Sequence, residues 1–386
     1  MRTKVAFLVR DLNYGGAQRQ LVTLIRNIDR ELFDVTLLYF YAGGELLADL
    51  RDCDCKVICL EKKGRWDLLS FSLRLFKQLK TLQPDILHGY LGESNLFSIL
   101  AKPFLPSTQI VWGIRASNLS VEQYGPIGKI LTQAENFLAN FVDLIIVNSH
   151  SGRDYCLCQG YPPDKMVVIS NGIDTEKFQP NLLAGSKVRA EWGVAAATIL
   201  VGLVGRLDPM KDHANFLRAA AELARSRSDL QFVCIGVGSK KYTQALVQLA
   251  ADLNISERII WAGGRSDMSA VFNALNVVCS ASAYGEGFPN VIGEAMASGV
   301  PCVATDVGDS ALIVGDLGVL VPPQNFEQLQ LGLDRLTSKP RPSYAHSARI
   351  RQAIIDRFSV EQLVLNTQTT LLRTVEEFRV RTAYRK

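Results

Sequence analysis

Two carboxylates, Glu286 and Glu294, bracket the stretch Tyr284-Gly285-Glu286-Gly287-Phe288-Pro289-Asn290-Val291-Ile292-Gly293-Glu294. Pro289 suits the first turn of a helix and Gly299 its left-handed stop, after which Pro301 opens the apolar run Cys302-Val303-Ala304-Thr305. Glu286 therefore belongs to a loop and Glu294 to the helix. On one continuous helix they would stand about 12 Å apart, but a tight Gly-Glu-Gly turn lets Glu286 fold back over the helix start. A carboxylate repels phosphate and accepts hydrogen bonds from hydroxyls, so this pair suits a hydroxylated ligand whose anionic part meets the N-terminus of the helix.

The anion needs cations, and Gly205-Arg206-Leu207-Asp208-Pro209-Met210-Lys211 supplies Arg206 and Lys211 in the loop after an apolar run. Two fixed positive charges there suit a diphosphate that gains negative charge as it departs. The alternative is a turn decorated by surface cations, with Glu294 a half-buried helical residue paired to one of them. Taken together, carboxylates on both sides of a diphosphate site call for ribose on one side and a hexose on the other, that is, a nucleotide-sugar. Near the N-terminus, Gly15 and Gly16 open another helix and let backbone N–H groups approach an anion. Gly-Gly is also ordinary turn chemistry, and the pattern is neither a full G-x-G-x-x-G nor followed by the acidic residue a nicotinamide cofactor needs.

The elements that must position these loops alternate along the chain. Short β-branched runs are separated by longer amphipathic stretches, which predicts α/β architecture with parallel sheets crossed by helices. The first half carries runs at 4–9, 34–39, 56–60, 85–87, 109–112, 144–147 and 167–169, and the second at 199–204, 231–235, 259–261, 277–279, 302–305 and 318–321. Both halves open with a strand, a glycine-containing turn and a helix, as two Rossmann-like units in tandem do. Residues 1–180 are expected to form the first, 198–358 the second and 359–386 a C-terminal helix. The stretch 178–197 reads as the connection between domains. Ligands of such sheets lie beyond the carboxyl ends of the strands.

Composition narrows the partners. The 386-residue chain has 21% charged residues and a net charge of +4, far from the basic excess of a protein that tracks nucleic acid. After Met1-Arg2-Thr3-Lys4 only five apolar residues follow, so no secretory leader or transmembrane span is expected and the chain reads as cytoplasmic. The eight cysteines form no C-x-x-C pair and read as reduced, mostly buried thiols. Asp52-Cys53-Asp54 superficially matches an Asp-x-Asp metal motif, yet it sits in a charged connector before Val57-Ile58-Cys59-Leu60 and reads as a solvated loop. No metal and no cofactor are expected.

Four motifs in their order and spacing resemble the family-4 retaining glycosyltransferases of the GT-B fold: Glu-Gly-Phe-Pro-Asn-Val-Ile-Gly-Glu at 286–294, Gly-Arg-Leu with a following lysine at 205–211, Asn-Gly-Ile-Asp at 171–174 and Gly-Gly-Ala-Gln at 15–18. The resemblance implies two Rossmann-like domains facing each other across a cleft, with the C-terminal helical stretch 360–378 crossing back to the first. It implies that Glu294 binds ribose hydroxyls and Glu286 those of the donor sugar. Arg206 and Lys211 would neutralise the diphosphate, helped by the backbone amides of Phe288, Pro289-Asn290 and Val291, while Gly15 and Gly16 approach phosphate or acceptor. Transfer would retain configuration and need no metal. UDP is favoured as the nucleotide on family frequency. Many members place a histidine after the strand that corresponds to residues 110–114, where this chain has Arg115; an arginine stays protonated and would supply charge to donor or acceptor instead. His88, read as ending the preceding strand, and Asn171 are further acceptor-side candidates, with a structural role the equal alternative for His88.

The acceptor reads as a saccharide or lipid-linked saccharide for a cell-surface polymer. Arg65-Trp66 through Phe71, Arg74, Lys77 and Lys80, with the basic tail Arg379, Arg381, Arg385 and Lys386, could rest on an anionic inner leaflet or be ordinary solvated helix faces. Three other readings share the architecture: a nucleotide-sugar epimerase-like enzyme, which needs further acid and base residues, a sugar phosphorylase, which needs a pyridoxal-anchoring lysine for which no local motif is found, and a non-catalytic nucleotide-sugar-binding subunit.

Overall fold

The computed structural model describes residues 2–115, 125–338 and 343–384, with backbone only for 125–131. The chain divides into two compact units, Met1–Gly172 with Val360–Lys386, and Ile173–Ser359. Each is built on one parallel sheet. In the first, β1 (Thr3–Val9), β2 (Phe33–Tyr39), β3 (Lys56–Cys59), β4 (Ile86–Tyr90), β5 (Gln109–Ile114), β6 (Leu144–Val147) and β7 (Met166–Val168) lie in the order β3-β2-β1-β4-β5-β6-β7. In the second, β8 (Ile199–Val204), β9 (Leu230–Ile235), β10 (Ile259–Gly263), β11 (Val277–Ser280), β12 (Cys302–Thr305) and β13 (Val319–Val321) lie in the order β10-β9-β8-β11-β12-β13.

The strands are apolar on both faces because both faces are covered. Val5, Phe7 and Val9 of β1 pack with Leu21, Leu24 and Ile25 of the helix Gly16–Asn27 and with Leu363, Leu371 and Val375 of the helix Val360–Ala383. Their neighbours Ala6 and Leu8 point the other way, onto Phe71, Leu75 and Leu79 of the helix Leu69–Leu82. The C-terminal helix thus belongs to the first unit's core and runs on to Ala383, beyond the stretch read from the sequence. Among the described residues, no helix is long and apolar enough to cross a membrane.

Three expectations change. The stretch 178–197, read as the connection, lies within the second unit, and its helix Leu182–Glu191 packs on the helix Met268–Ala274 of that unit. Gly185 permits this, since a Cβ there would stand 2.3 Å from the carbonyl oxygen of Asn273. The cysteines are all free, but only Cys156, Cys234, Cys279 and Cys302 are buried, and Cys158 is exposed. His88 does not end its strand. β4 continues to Tyr90, because Gly89 and Tyr90 pair with Leu8 and Val9 on one side and with Trp112 and Gly113 on the other.

Two histidines are wholly buried, His88 and His213, and no ring nitrogen of either has a hydrogen-bond partner. Burial first, and then the charge of Arg115, pushes His88 well below the ordinary range. Burial and Lys211 push His213 down to about 4, against a weaker opposing pull from Asp208. The unfolded chain protonates these rings near pH 6.5 and the folded chain refuses the proton. Their contribution to stability is therefore complete above about pH 6.5 and is lost as the pH falls towards 4. Thermal unfolding should show a Tm that drops over this window, and His213→Gln should make the drop shallower; an unchanged slope would remove His213 from the account.

Candidate active site

In a doubly wound sheet the crevice for ligands opens where neighbouring strands send their loops in opposite directions. In the second unit that point lies between β8 and β11. The loop after β8 is Gly205–Lys211 and the loop after β11 carries Glu286, so the sheet order brings together two motifs that lie about 80 residues apart in sequence. The loops are tied directly, by the Ala283 amide donating to the Met210 carbonyl at 2.8 Å.

Lys211 donates to Glu286 Oε1, which also accepts from Ser282 Oγ at 2.6 Å. Ser282 is held in turn, since Thr305 Oγ1 of β12 donates to its carbonyl at 2.7 Å. Lys211 therefore has the structural partner that its sequence did not reveal. Its aliphatic stem lies over Gly205, where a Cβ would meet Lys211 Cγ and Cδ at 3.3 Å. Arg206 is exposed, and among the described residues no carboxylate pairs with it. Asp208 accepts from the Met210 amide and Asp212 from the Asn215 amide, so the loop's own acids cap its turns and the start of the helix His213–Ser226. His213, buried under Lys211, went unnoticed in sequence; a histidine one residue after the capping Asp212 was the only signal.

The Glu286 turn is shaped by two glycines in left-handed conformations. Gly285 has φ +77° and lies against Met210, with Sδ 2.9 Å from where a Cβ would be. Gly308, at φ +65°, backs onto the turn: a Cβ there would stand 2.6 Å from the carbonyl oxygens of both Glu286 and Gly287, and the Asp309 amide donates to Gly287 at 2.8 Å. The helix Asn290–Ala297 follows, with Pro289 at its N-cap, a residue that makes no side-chain capping bond. Ile292, Ala295 and Met296 are sunk in the core and Phe288 stacks edge-on against Phe358 at 5.2 Å, so the helix start is rigidly seated. Glu294 is 5% exposed, in the second turn. Gly299 ends the helix at φ +77°, as its sequence predicted. The structure thus groups Arg206, Lys211, Glu286 and residues 288–294 in one unit.

The other candidates collect in the first unit at the carboxyl edge of its sheet. Gly15 and Gly16 begin the helix Gly16–Asn27 after β1. Gln20 of that helix grips Gly172 twice, donating to its carbonyl at 2.9 Å and accepting from its amide at 2.8 Å. A Cβ on Gly172 would meet Leu363 and Val360 at 3.0 Å, so the turn carrying Asn171 is clamped between two helices. Arg115, just past β5, donates to Tyr90 Oη at 2.7 Å and to Asn171 Oδ1 at 3.5 Å. His88 is not part of this array: it is fully enclosed, its ring packed between Phe7 and Tyr90. Tyr90 stands at the end of β4 and Asn148 just past β6, and sequence patterning, which cannot say which residue ends a strand, named neither.

A substitution pair tests the Glu286 turn. Gly193 has φ +67° with nothing within 4 Å of a Cβ, so Gly193→Ala should cost only the left-handed strain of about 1 kcal/mol. Gly308→Ala adds the clash with Glu286 and Gly287. It should lower Tm by several degrees more than Gly193→Ala does, read by differential scanning calorimetry; equal effects would free the turn from Gly308.

Two family models match the chain, Glycosyltransferase Family 4 over residues 14–177 and Glycosyl transferases group 1 over residues 186–356. The chain is 24% identical over 364 residues to the UDP-Gal:alpha-D-GlcNAc-diphosphoundecaprenol alpha-1,3-galactosyltransferase of Escherichia coli, covering 91% of this chain and 92% of that one. It is 26% identical over 374 residues to the N-acetylgalactosamine-N,N'-diacetylbacillosaminyl-diphospho-undecaprenol 4-alpha-N-acetylgalactosaminyltransferase of Campylobacter jejuni, covering 92% and 97%. The crystal structure of Anabaena Alr3699/HepE in complex with UDP superposes with a TM-score of 0.84 at 22% identity, over 96% of this chain and all of that one. With two parallel-sheet units and the Glu286–Glu294 segment at a strand switch point, these matches identify the chain as a member of the family-4 glycosyltransferases of the GT-B fold.

Proposed function

We propose that the chain transfers a hexosyl unit from a UDP-sugar to a lipid-diphosphate-linked saccharide, with retention and without a metal, in the assembly of a cell-surface polysaccharide or glycan. The observation that carries this reading is the grouping, at the β8–β11 switch point, of Arg206, the Lys211–Glu286 pair, the start of the helix Asn290–Ala297 and buried Glu294. Arg206 and the helix start would take the diphosphate. Glu294 would accept from ribose hydroxyls and Glu286, held by Ser282 and Lys211, from the donor sugar. The two relatives named above support the acceptor class, and the UDP complex supports the nucleotide.

In this mechanism the bond between the sugar's anomeric carbon and the UDP oxygen breaks while the acceptor hydroxyl attacks the same face. The departing phosphate oxygen takes the hydroxyl proton. Its growing negative charge is stabilised by Arg206 and Lys211, so the cations act chiefly in the transition state. With acceptor present, UDP-sugars should give product whose formation survives EDTA. Arg206→Ala should lower kcat roughly a hundred- to a thousandfold, and Glu294→Ala should mainly raise the KM for donor. Unchanged kinetics in both variants would overturn the site, and complete inhibition by EDTA would overturn metal independence.

A lipid-linked acceptor brings the enzyme to a bilayer, and one face of the first unit suits that contact. Trp66 and Leu69 are each 84% exposed and Leu73 is 71% exposed. They continue the stripe on which Lys77 and Lys80 also lie exposed, and Arg65 stacks on Trp66. Phe71 is not part of it, being buried against Phe40 and Phe97, and Arg74 is taken by Asp67. In the tail, Arg379 pairs with Asp85 and Arg381 with Glu377, while Arg385 and Lys386 lie outside the described residues. The proposed peripheral contact therefore rests on the Trp66 face. Flotation with anionic liposomes should be lost on Trp66→Ser with Leu69→Ser and weakened by salt; no flotation of the wild type would end this part of the proposal.

A further inference from the structure

Four consecutive strands of the first unit, β4 to β7, each end near a polar side chain: Tyr90, Arg115, Asn148 and Asn171. Three of them are more than nine-tenths buried, Tyr90 at 1%, Asn148 at 3% and Asn171 at 5% exposure. They form a linked array, with Arg115 donating to Tyr90 and Asn171, and Asn148 Nδ2 donating to the same Asn171 oxygen at 3.5 Å. The Arg115 guanidinium also lies 4.6 Å from the Tyr90 ring centroid. Its hydrogen-bond partners among the described residues, Tyr90 and Asn171, are neutral. The acids after β1 and β4, Asp11 and Glu93, are both taken by Arg10, and among the described residues no carboxylate pairs with Arg115. Arg115 Nε and Asn148 Oδ1 are buried without a partner.

A half-buried cation that keeps only neutral partners is costly unless an anion completes it. The guanidinium is a fork for phosphate oxygens. The donor's diphosphate is already provided for in the second unit by Arg206, Lys211 and the start of the helix Asn290–Ala297, so a fixed cation in the first unit is left for the other substrate. From the array we infer that Arg115, oriented by Tyr90 and Asn171, binds the diphosphate of the acceptor and makes the enzyme selective for saccharides carried on a diphosphate. This rests on the transfer reading above.

The test compares one saccharide in two forms, linked through a diphosphate to a short prenyl chain and as a phosphate-free alkyl glycoside. Arg115→Gln should lower the ratio of kcat/KM for the diphosphate form over the glycoside by roughly ten- to a hundredfold, Arg115→Lys should recover part of it, and the KM for UDP-sugar should stay put. An unchanged ratio would overturn the inference; a raised UDP-sugar KM with an unchanged ratio would assign Arg115 to the donor instead. Calorimetry with a prenyl diphosphate and no donor separates this from the transfer reading. If wild type gives no product but binds the probe and Arg115→Gln does not, the transfer reading fails and the anion site stands. If wild type does not bind the probe and Arg115→Gln leaves the ratio intact, the anion site fails and transfer stands. Equal Tm values for wild type and Arg115→Gln exclude misfolding as the cause of a loss.

Discussion

In an all-parallel sheet every crossover must return the chain to the same edge, so all strand-to-helix loops emerge on one side. When the first strand of a unit lies inside the sheet, the winding must reverse beside it, and the loops on either side of that reversal part. Each unit of this chain meets that condition, at β1–β4 and at β8–β11. The rest of the site follows from it: residues distant in sequence become neighbours, and helix starts point their amides at a common place. Both sheet faces are sealed by helices, leaving the carboxyl edge as the place where polar side chains can be gathered.

The two edges are furnished differently. In the second unit, Lys211 and Glu286 neutralise one another and are braced by Ser282 and Thr305, with Arg206 left exposed beside them. That mutual neutralisation lets a cation and a carboxylate sit at one spot, as the proposed nucleotide-sugar, with both phosphates and hydroxyls, would require. In the first unit a single guanidinium is set among a phenol and two amides. Among the described residues no carboxylate pairs with it. The proposed donor and acceptor diphosphates would each find one of these two arrangements.

Glycines enforce both arrangements by excluding atoms. Gly308 lets the Glu286 turn lie flat against its neighbour, and Gly172 lets the Asn171 turn slip between the helices Gly16–Asn27 and Val360–Ala383. Neither glycine touches a ligand in the readings above. Their role is to let backbone approach backbone so that the side chains are held at a set place, which is how remote packing becomes chemistry.

Residue types and spacing alone determined the class of architecture, because buried parallel strands must be apolar throughout and crossover helices must be amphipathic, and both periodicities are local. They also determined the segment 286–294, since Gly, Pro and Glu there have local consequences: a turn, a helix start and an acceptor of hydroxyls. Only tertiary structure decided the rest. That Lys211 belongs to Glu286 depends on which strands are neighbours. That His88 is core and Tyr90 is edge depends on where pairing with β1 and β5 ends. That Arg115 finds Tyr90 and Asn171 depends on strand ends meeting in space. Local sequence sets what each residue can do; contacts between residues far apart in the chain settle which of them can do it together.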